Sequence, residues 1–134
     1  MNRRINRLIV AAASLSCLVA LTAAASAYDG DWKRGRVYYQ GVCTPCHKAA
    51  TKSEGIPANA YTIAEWNAYL QTDKHARGKD TIKQYVSQAY RGEIKATNKV
   101  ANKFFSVADQ DLLTDIKAFV VNGAKDGDAP AGCN

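Results

Sequence analysis

Cys43-Thr44-Pro45-Cys46-His47 is the stretch that decides how this chain is read. In a Cys-x-x-Cys-His segment the two thiols can add across the two vinyl groups of a haem. The adjacent histidine is then held beneath the iron, where its imidazole can ligate it. Two competing readings fit less well. A redox dithiol of the thioredoxin kind needs a strand–helix–strand context, and the residues downstream of this motif have helical spacing. Structural zinc takes four nitrogen or sulfur ligands, usually as two separated pairs. This chain supplies one pair, and adjacent Cys46 and His47 would crowd a single tetrahedral ion. The motif therefore implies one covalent haem c, anchored by Cys43 and Cys46, with His47 as an iron ligand.

The residues upstream agree with that chemistry. Arg3, Arg4 and Arg7 form a basic head, Leu8 to Ala24 is apolar or small, and Ala25-Ser26-Ala27 is a small-residue cleavage site. Residues 1–27 are expected to be a cleaved secretory signal peptide. The apolar run is short and alanine-rich for a spanning helix, so no stable membrane insertion is expected after cleavage. Export to the periplasm is the expected result, with an extracellular destination as the other possibility, and residues 28–134 form the mature domain.

Once the leader is set aside, about 107 of the 134 residues remain, the size of one domain. The formal charge of +6 falls to +3, with 15 basic side chains against 12 acidic ones. Nucleic-acid binding has little compositional support. The charge is uneven, however. Lys74 to Lys103 carries eight bases and two acids, whereas Asp109 to Asp128 carries five acids and two lysines. Such a dipole could steer an acidic redox partner, although solvated helix faces are the favoured reading.

Helical signals dominate. Asp31 to Gln40 precedes the motif and offers Trp32, Gly35, Tyr38 and Tyr39 for packing, with Gly41 expected as its stop. Thr62-x-x-Glu65 and Thr81-x-x-Gln84 read as capping boxes. The first opens a helix with Ile63, Trp66 and Leu70 along one side. The second opens one with Ile82, Tyr85, Val86, Ala89 and Tyr90, ending at Gly92. Ser106-x-x-Asp109 is expected to start a final helix bearing Leu112, Leu113, Ile116, Phe119 and Val120, stopped by Gly123. No segment alternates like a strand. The expectation is an all-α domain of about four helices wrapped around one haem, with 124–134 a flexible tail. Four modest helices make a thin core, and an apolar disc would supply its missing centre.

Together, the leader, a helix carrying Gly35 and Tyr39, Cys43–His47 and a last helix with Leu113, Ile116, Phe119 and Val120 resemble a bacterial class I cytochrome c. The resemblance implies that the first and last helices cross through a glycine–aromatic contact, with Gly35 and Phe119 as candidates. It also implies that Pro57, in Gly55-Ile56-Pro57, accepts the Nδ1–H of His47 and orients the ring. A plain loop proline is the other reading. Trp66 or a tyrosine would hydrogen-bond a haem propionate.

The chain departs from that family at the sixth iron ligand, usually a methionine just before the last helix. Its single methionine is Met1, which processing removes, and Asn98 to Asn102 occupy the equivalent place. Three replacements stand open. His75 is the only other histidine and is preferred. A nitrogen or oxygen of Asn98, Lys99, Asn102 or Lys103 is the second. An open or water-bound iron is the third. With His47 and His75 both bound, the iron exchanges electrons and nothing else, at lower potential than a His/Met centre. An open iron would instead bind a small gas or peroxide, as a sensor or enzyme does. No nucleophile–base arrangement stands out, so an electron carrier rather than an enzyme is expected. Its partners would be other redox proteins.

The remaining large aromatics, Trp66, Tyr85, Tyr90, Phe104 and Phe105, are expected to line the haem pocket. Cys133 is left as an odd thiol in the tail once the leader takes Cys17 and the haem takes Cys43 and Cys46. It is read either as an exposed free thiol or as the link of a disulfide-bonded dimer.

Overall fold

The computed structural model describes residues 28–46, 55–75 and 80–129. The expected leader, His47, and Cys133 lie outside the described residues. Among the described residues there are six α-helices and no strand, so the all-α expectation holds while the expected number of helices does not. No helix among them is long and apolar enough to cross a membrane.

The first helix, α1 (Trp32–Tyr38), starts where Asp31 accepts the backbone N–H groups of Lys33 at 2.9 Å and Arg34 at 3.1 Å. It does not stop at Gly41. The chain widens into a π-helical turn, Tyr39–Cys43, and stays helical through Cys46. Gly41 has another role: a Cβ there would overlap the Val100 side chain, so the glycine lets a later helix approach the motif.

A 3-10 turn (Ala58–Ala60) comes after Pro57 and leads to α2 (Ile63–Thr72). The Thr62–Glu65 capping box forms as expected, with the Thr62 N–H donating to Glu65 at 2.8 Å. Asp126 adds a third partner from far along the chain, accepting the Ile63 N–H at 2.7 Å. The helix ends at Asp73, whose φ of 50° is left-handed. Asp is one of the few side chains that tolerates that region.

The stripe from Ile82 to Tyr90 is two helices rather than one. After α3 (Ile82–Val86), Ser87 turns extended, at ψ 150°, and its hydroxyl caps α4 (Gln88–Ile94) by accepting the Tyr90 N–H. A serine at this point favours a new start over continuation, because its side chain competes for the backbone. Gly92 does not end α4; it faces the Phe105 ring. A short α5 (Lys99–Lys103), capped by Asn98, adds to the expected elements.

The last helix, α6 (Asp109–Asn122), begins one residue after Ala108 with no side-chain cap. Ser106 does not act as the box residue. The Asp109 carboxylate is taken by the Gln88 N–H at 2.8 Å and by the Arg91 guanidinium. Residues 124–129 of the expected tail are fastened to the body: the Lys125 N–H donates to Tyr61 and the Ala129 N–H to Asn122, both at 3.0 Å.

The core lies between α1 and α6. Tyr38, Leu112, Ile116, Phe119 and Val120 are buried there. Gly35 meets the backbone of Asp115 and Ile116, where a Cβ would overlap the Asp115 carbonyl. The aromatic partner expected for Gly35 belongs instead to Tyr39, one turn on, whose ring lies 5.4 Å from that of Phe119.

Candidate functional site

Cys43 and Cys46 sit three residues apart at the end of the first helical run, and both are free thiols. Their settings differ. Cys46 is exposed, while Cys43 is largely covered. Burial, reinforced by the neighbouring Cys46, pushes the Cys43 thiol up to about 12 from its ordinary 9.0. A buried thiol stays protonated because low-dielectric surroundings disfavour the thiolate.

The walls around the two thiols are tyrosines. Burial raises the phenol of Tyr90, and Cys46, Tyr85 and Cys43 add to the effect, so the α4 ring lies within electrostatic reach of both thiols. Burial also raises Tyr38 and Tyr39, with Cys43 the next contributor in each case. Their hydroxyls are both engaged. Tyr38 donates to the Tyr85 carbonyl at 2.9 Å, tying the motif run to α3. Tyr39 donates to the Ile56 carbonyl at 2.7 Å, tying it to the turn that carries Pro57. The Pro57 carbonyl accepts the Ala60 N–H at 3.0 Å. Its expected bond to His47 lies outside the described residues.

His75 lies in the loop after α2, half-buried. Its ring packs edge-on against Tyr85, at 5.4 Å between centroids and 66° between planes. Tyr85 in turn meets Tyr90 at 5.2 Å and 88°. A line of rings therefore runs from His75 through Tyr85 to Tyr90. The loop is pinned two residues earlier: Asp73 accepts the Lys83 N–H at 2.9 Å, and its other oxygen lies 3.7 Å from the Lys83 ammonium.

The rival iron ligands are placed differently. The Asn98 oxygen accepts the N–H groups of Val100 and Ala101, both at 3.0 Å, while its amide donates to Gly41 at 2.9 Å. The oxygen and nitrogen of Asn98 are thus both committed to backbone partners. Lys99, Asn102 and Lys103 are exposed. Where the resemblance places methionine, this chain thus has a helix cap bonded to the motif run.

The expected pocket aromatics divide. Tyr85 and Tyr90 belong to the ring line from His75, and Tyr90 is within electrostatic reach of the cysteines. Trp66 is buried under α2, and its indole N–H is spent on the Ala58 carbonyl at 2.6 Å, which removes it as a propionate donor. Phe104 is buried edge-on to Tyr38 at 5.8 Å, and Phe105 lies under the Lys95 ammonium at 4.0 Å.

Arg91 departs furthest from its expected place. It belongs to the basic stretch of the sequence yet is fully buried, donating to the carbonyls of Phe104, Phe105 and Val107 and pairing with Asp109. A buried arginine needs such a set of acceptors, and the signal in the sequence was its place beside Tyr90 and Ile94 on α4. A cavity of about 430 Å³ bounded by Asp73, Lys83, Gln84, Asp109 and Leu113 is a separate feature; neither cysteine nor His75 lines it.

Searches against protein families, curated proteins and solved structures returned no match.

Proposed function

We propose that the chain is an exported electron-transfer protein carrying one covalent haem c. Cys43 and Cys46 would hold the group by thioether bonds, and His47 and His75 would ligate its iron. The donor set fits: two free thiols on one helical run, next to a wall of tyrosine rings that would meet an apolar disc. When bound, the haem supplies a one-electron couple. The protein's own residues do the rest. Tyr85 and Tyr90 exclude water on one side, Tyr38 and Tyr39 pack beneath the motif run, and the pinned loop presents His75.

The observation that carries the choice of a closed iron is the contrast between the two candidate ligand sets. Asn98 is consumed by structural hydrogen bonds, whereas the His75 ring joins the aromatic line through Tyr85 to Tyr90. Two imidazoles and no thioether ligand favour a lower potential than a His/Met centre. The resemblance to bacterial class I cytochromes supports the same role, as do the leader and the periplasmic destination it implies. Partners are other redox proteins, acidic ones being favoured by the lysines of 74–103. Arg91 drops out of that surface because it is buried. A dimer linked through Cys133 belongs to the same reading.

The test is substitution of the distal histidine. His75→Ala should convert a low-spin spectrum to one that shifts on addition of carbon monoxide. A low-spin spectrum that persists in the variant contradicts bis-histidine ligation.

A further inference from the structure

Tyr85 makes three contacts that no requirement of the core explains together. Its carbonyl accepts the Tyr38 hydroxyl at 2.9 Å, which fixes the α3 backbone to the run that ends in the cysteines. The edge of its ring meets His75 at 5.4 Å, and its other neighbour is Tyr90 at 5.2 Å. Two residues earlier on the same helix, Lys83 receives Asp73 from the loop that carries His75. The His75 loop is thus docked on α3 at two points, Lys83 and Tyr85, and α3 is docked on the motif run at Tyr85.

We infer that Tyr85 is the positioning residue for His75, holding its imidazole in the orientation needed to close the iron. This rests on the bis-histidine reading above. The physical reason is entropic. A histidine on a loop has two free side-chain torsions and a mobile backbone, and a ligand that must be ordered on every rebinding event competes poorly with an exogenous molecule. An edge-on ring restricts both, and such contacts exceed simple area burial in strength. The role is assigned to the ring and the backbone anchor.

The experiment uses the mature haem-loaded protein and compares His75→Ala, Tyr85→Leu and Tyr85→Phe by the rate of carbon monoxide capture after reduction, by reduction potential and by thermal midpoint. Tyr85→Leu should capture carbon monoxide about tenfold faster than the parent, equivalent to about 1.4 kcal/mol, with a shifted potential. Tyr85→Phe should restore parental behaviour in both. Should Tyr85→Leu fail to fold, Tyr38→Phe removes the backbone anchor alone and should accelerate capture in the same direction by a smaller factor. A lowered midpoint with an unchanged capture rate in Tyr85→Leu (or, where that variant does not fold, an unchanged rate in Tyr38→Phe) would assign a purely structural role and overturn the inference. So would a Tyr85→Phe as fast as Tyr85→Leu. The two readings fail separately: a closed iron in His75→Ala removes the bis-histidine reading itself, whereas an open iron in His75→Ala beside a parental Tyr85→Leu removes only the role of Tyr85.

Discussion

The two sides of the motif run are held in different ways. On the α6 side, contact is close and largely apolar. Gly35 brings backbone against backbone, Tyr39 stacks on Phe119, and Leu112, Ile116 and Val120 fill the space between. On the α3–α5 side, Tyr38 packs on Phe104 and Gly41 on Val100, and polar bonds add to the attachment, Tyr38 to Tyr85 and Asn98 to Gly41, while the Arg91 cluster ties α4, the turn after α5 and the start of α6 to one another. The difference is that between a scaffold and an adjustable wall. The first side can bury its apolar surface by itself. The second faces the cysteines and gains its apolar partner from the haem, in the reading proposed above.

The largest effect expected from this comparison comes from removing the cofactor. A Cys43→Ser/Cys46→Ser chain should retain no covalent haem, and its amides in α3 and α4 should exchange much faster than those of α6. Uniform exchange across both sides would erase the distinction. Next is the buried charge. Arg91→Met leaves the buried carbonyls of Phe104 and Val107 without their side-chain donor, while Asp109 keeps the Gln88 N–H, and should cost about 3 kcal/mol, read by urea unfolding of the haem-loaded protein. Gly35→Ala ranks third at about 1–3 kcal/mol, the usual penalty for forcing atoms into a packed contact. Asn98→Ala loses a helix cap and should cost about 1 kcal/mol, while leaving the low-spin spectrum intact. A spectral change there would reinstate Asn98 at the iron.

The smallest effect at neutral pH concerns Cys43 in the haem-free chain. Its folded thiol titrates near 12 against an ordinary 9.0, so burial favours the protonated form. The stability this contributes is complete below pH 9.0 and is lost as the pH rises through about 12. Tyr38 and Tyr39 are raised in the same direction and add to the loss at high pH. Alkaline denaturation followed by circular dichroism checks the sign. At pH 8 an alkylating reagent should label exposed Cys46 well before Cys43. Equal labelling rates would mean that the motif run is open without haem.

What was legible in the sequence was mainly what is local. The Thr62 and Thr81 caps depend on residues three apart, and both form. Ser106-x-x-Asp109 has the same spacing and fails because Asp109 is claimed from outside by Gln88 and Arg91. Glycines misled for a related reason. Gly41 and Gly92 look like helix stops, but the helical run passes through both; Gly41 is small because Val100 lies against it, whereas at Gly92 the Phe105 ring leaves room for a Cβ. The helix break at Ser87 is hidden in an apolar stripe whose spacing survives the change of axis. Of the candidate site, the cysteine pair was evident from the motif and His75 from elimination. The ring contacts of His75 with Tyr85 and of Tyr85 with Tyr90 cross from a loop to one helix and on to the next, and the bond from Asn98 to Gly41 joins residues 57 apart; neither follows from local spacing.

The most direct test of the central claim is the optical spectrum of the reduced, haem-loaded protein recorded before and after carbon monoxide. Closure of the iron by His47 and His75 predicts low-spin bands that carbon monoxide leaves unchanged on mixing, and that become sensitive to it in His75→Ala. A rapid shift in the parent protein would contradict the account and make the iron an open, ligand-binding centre.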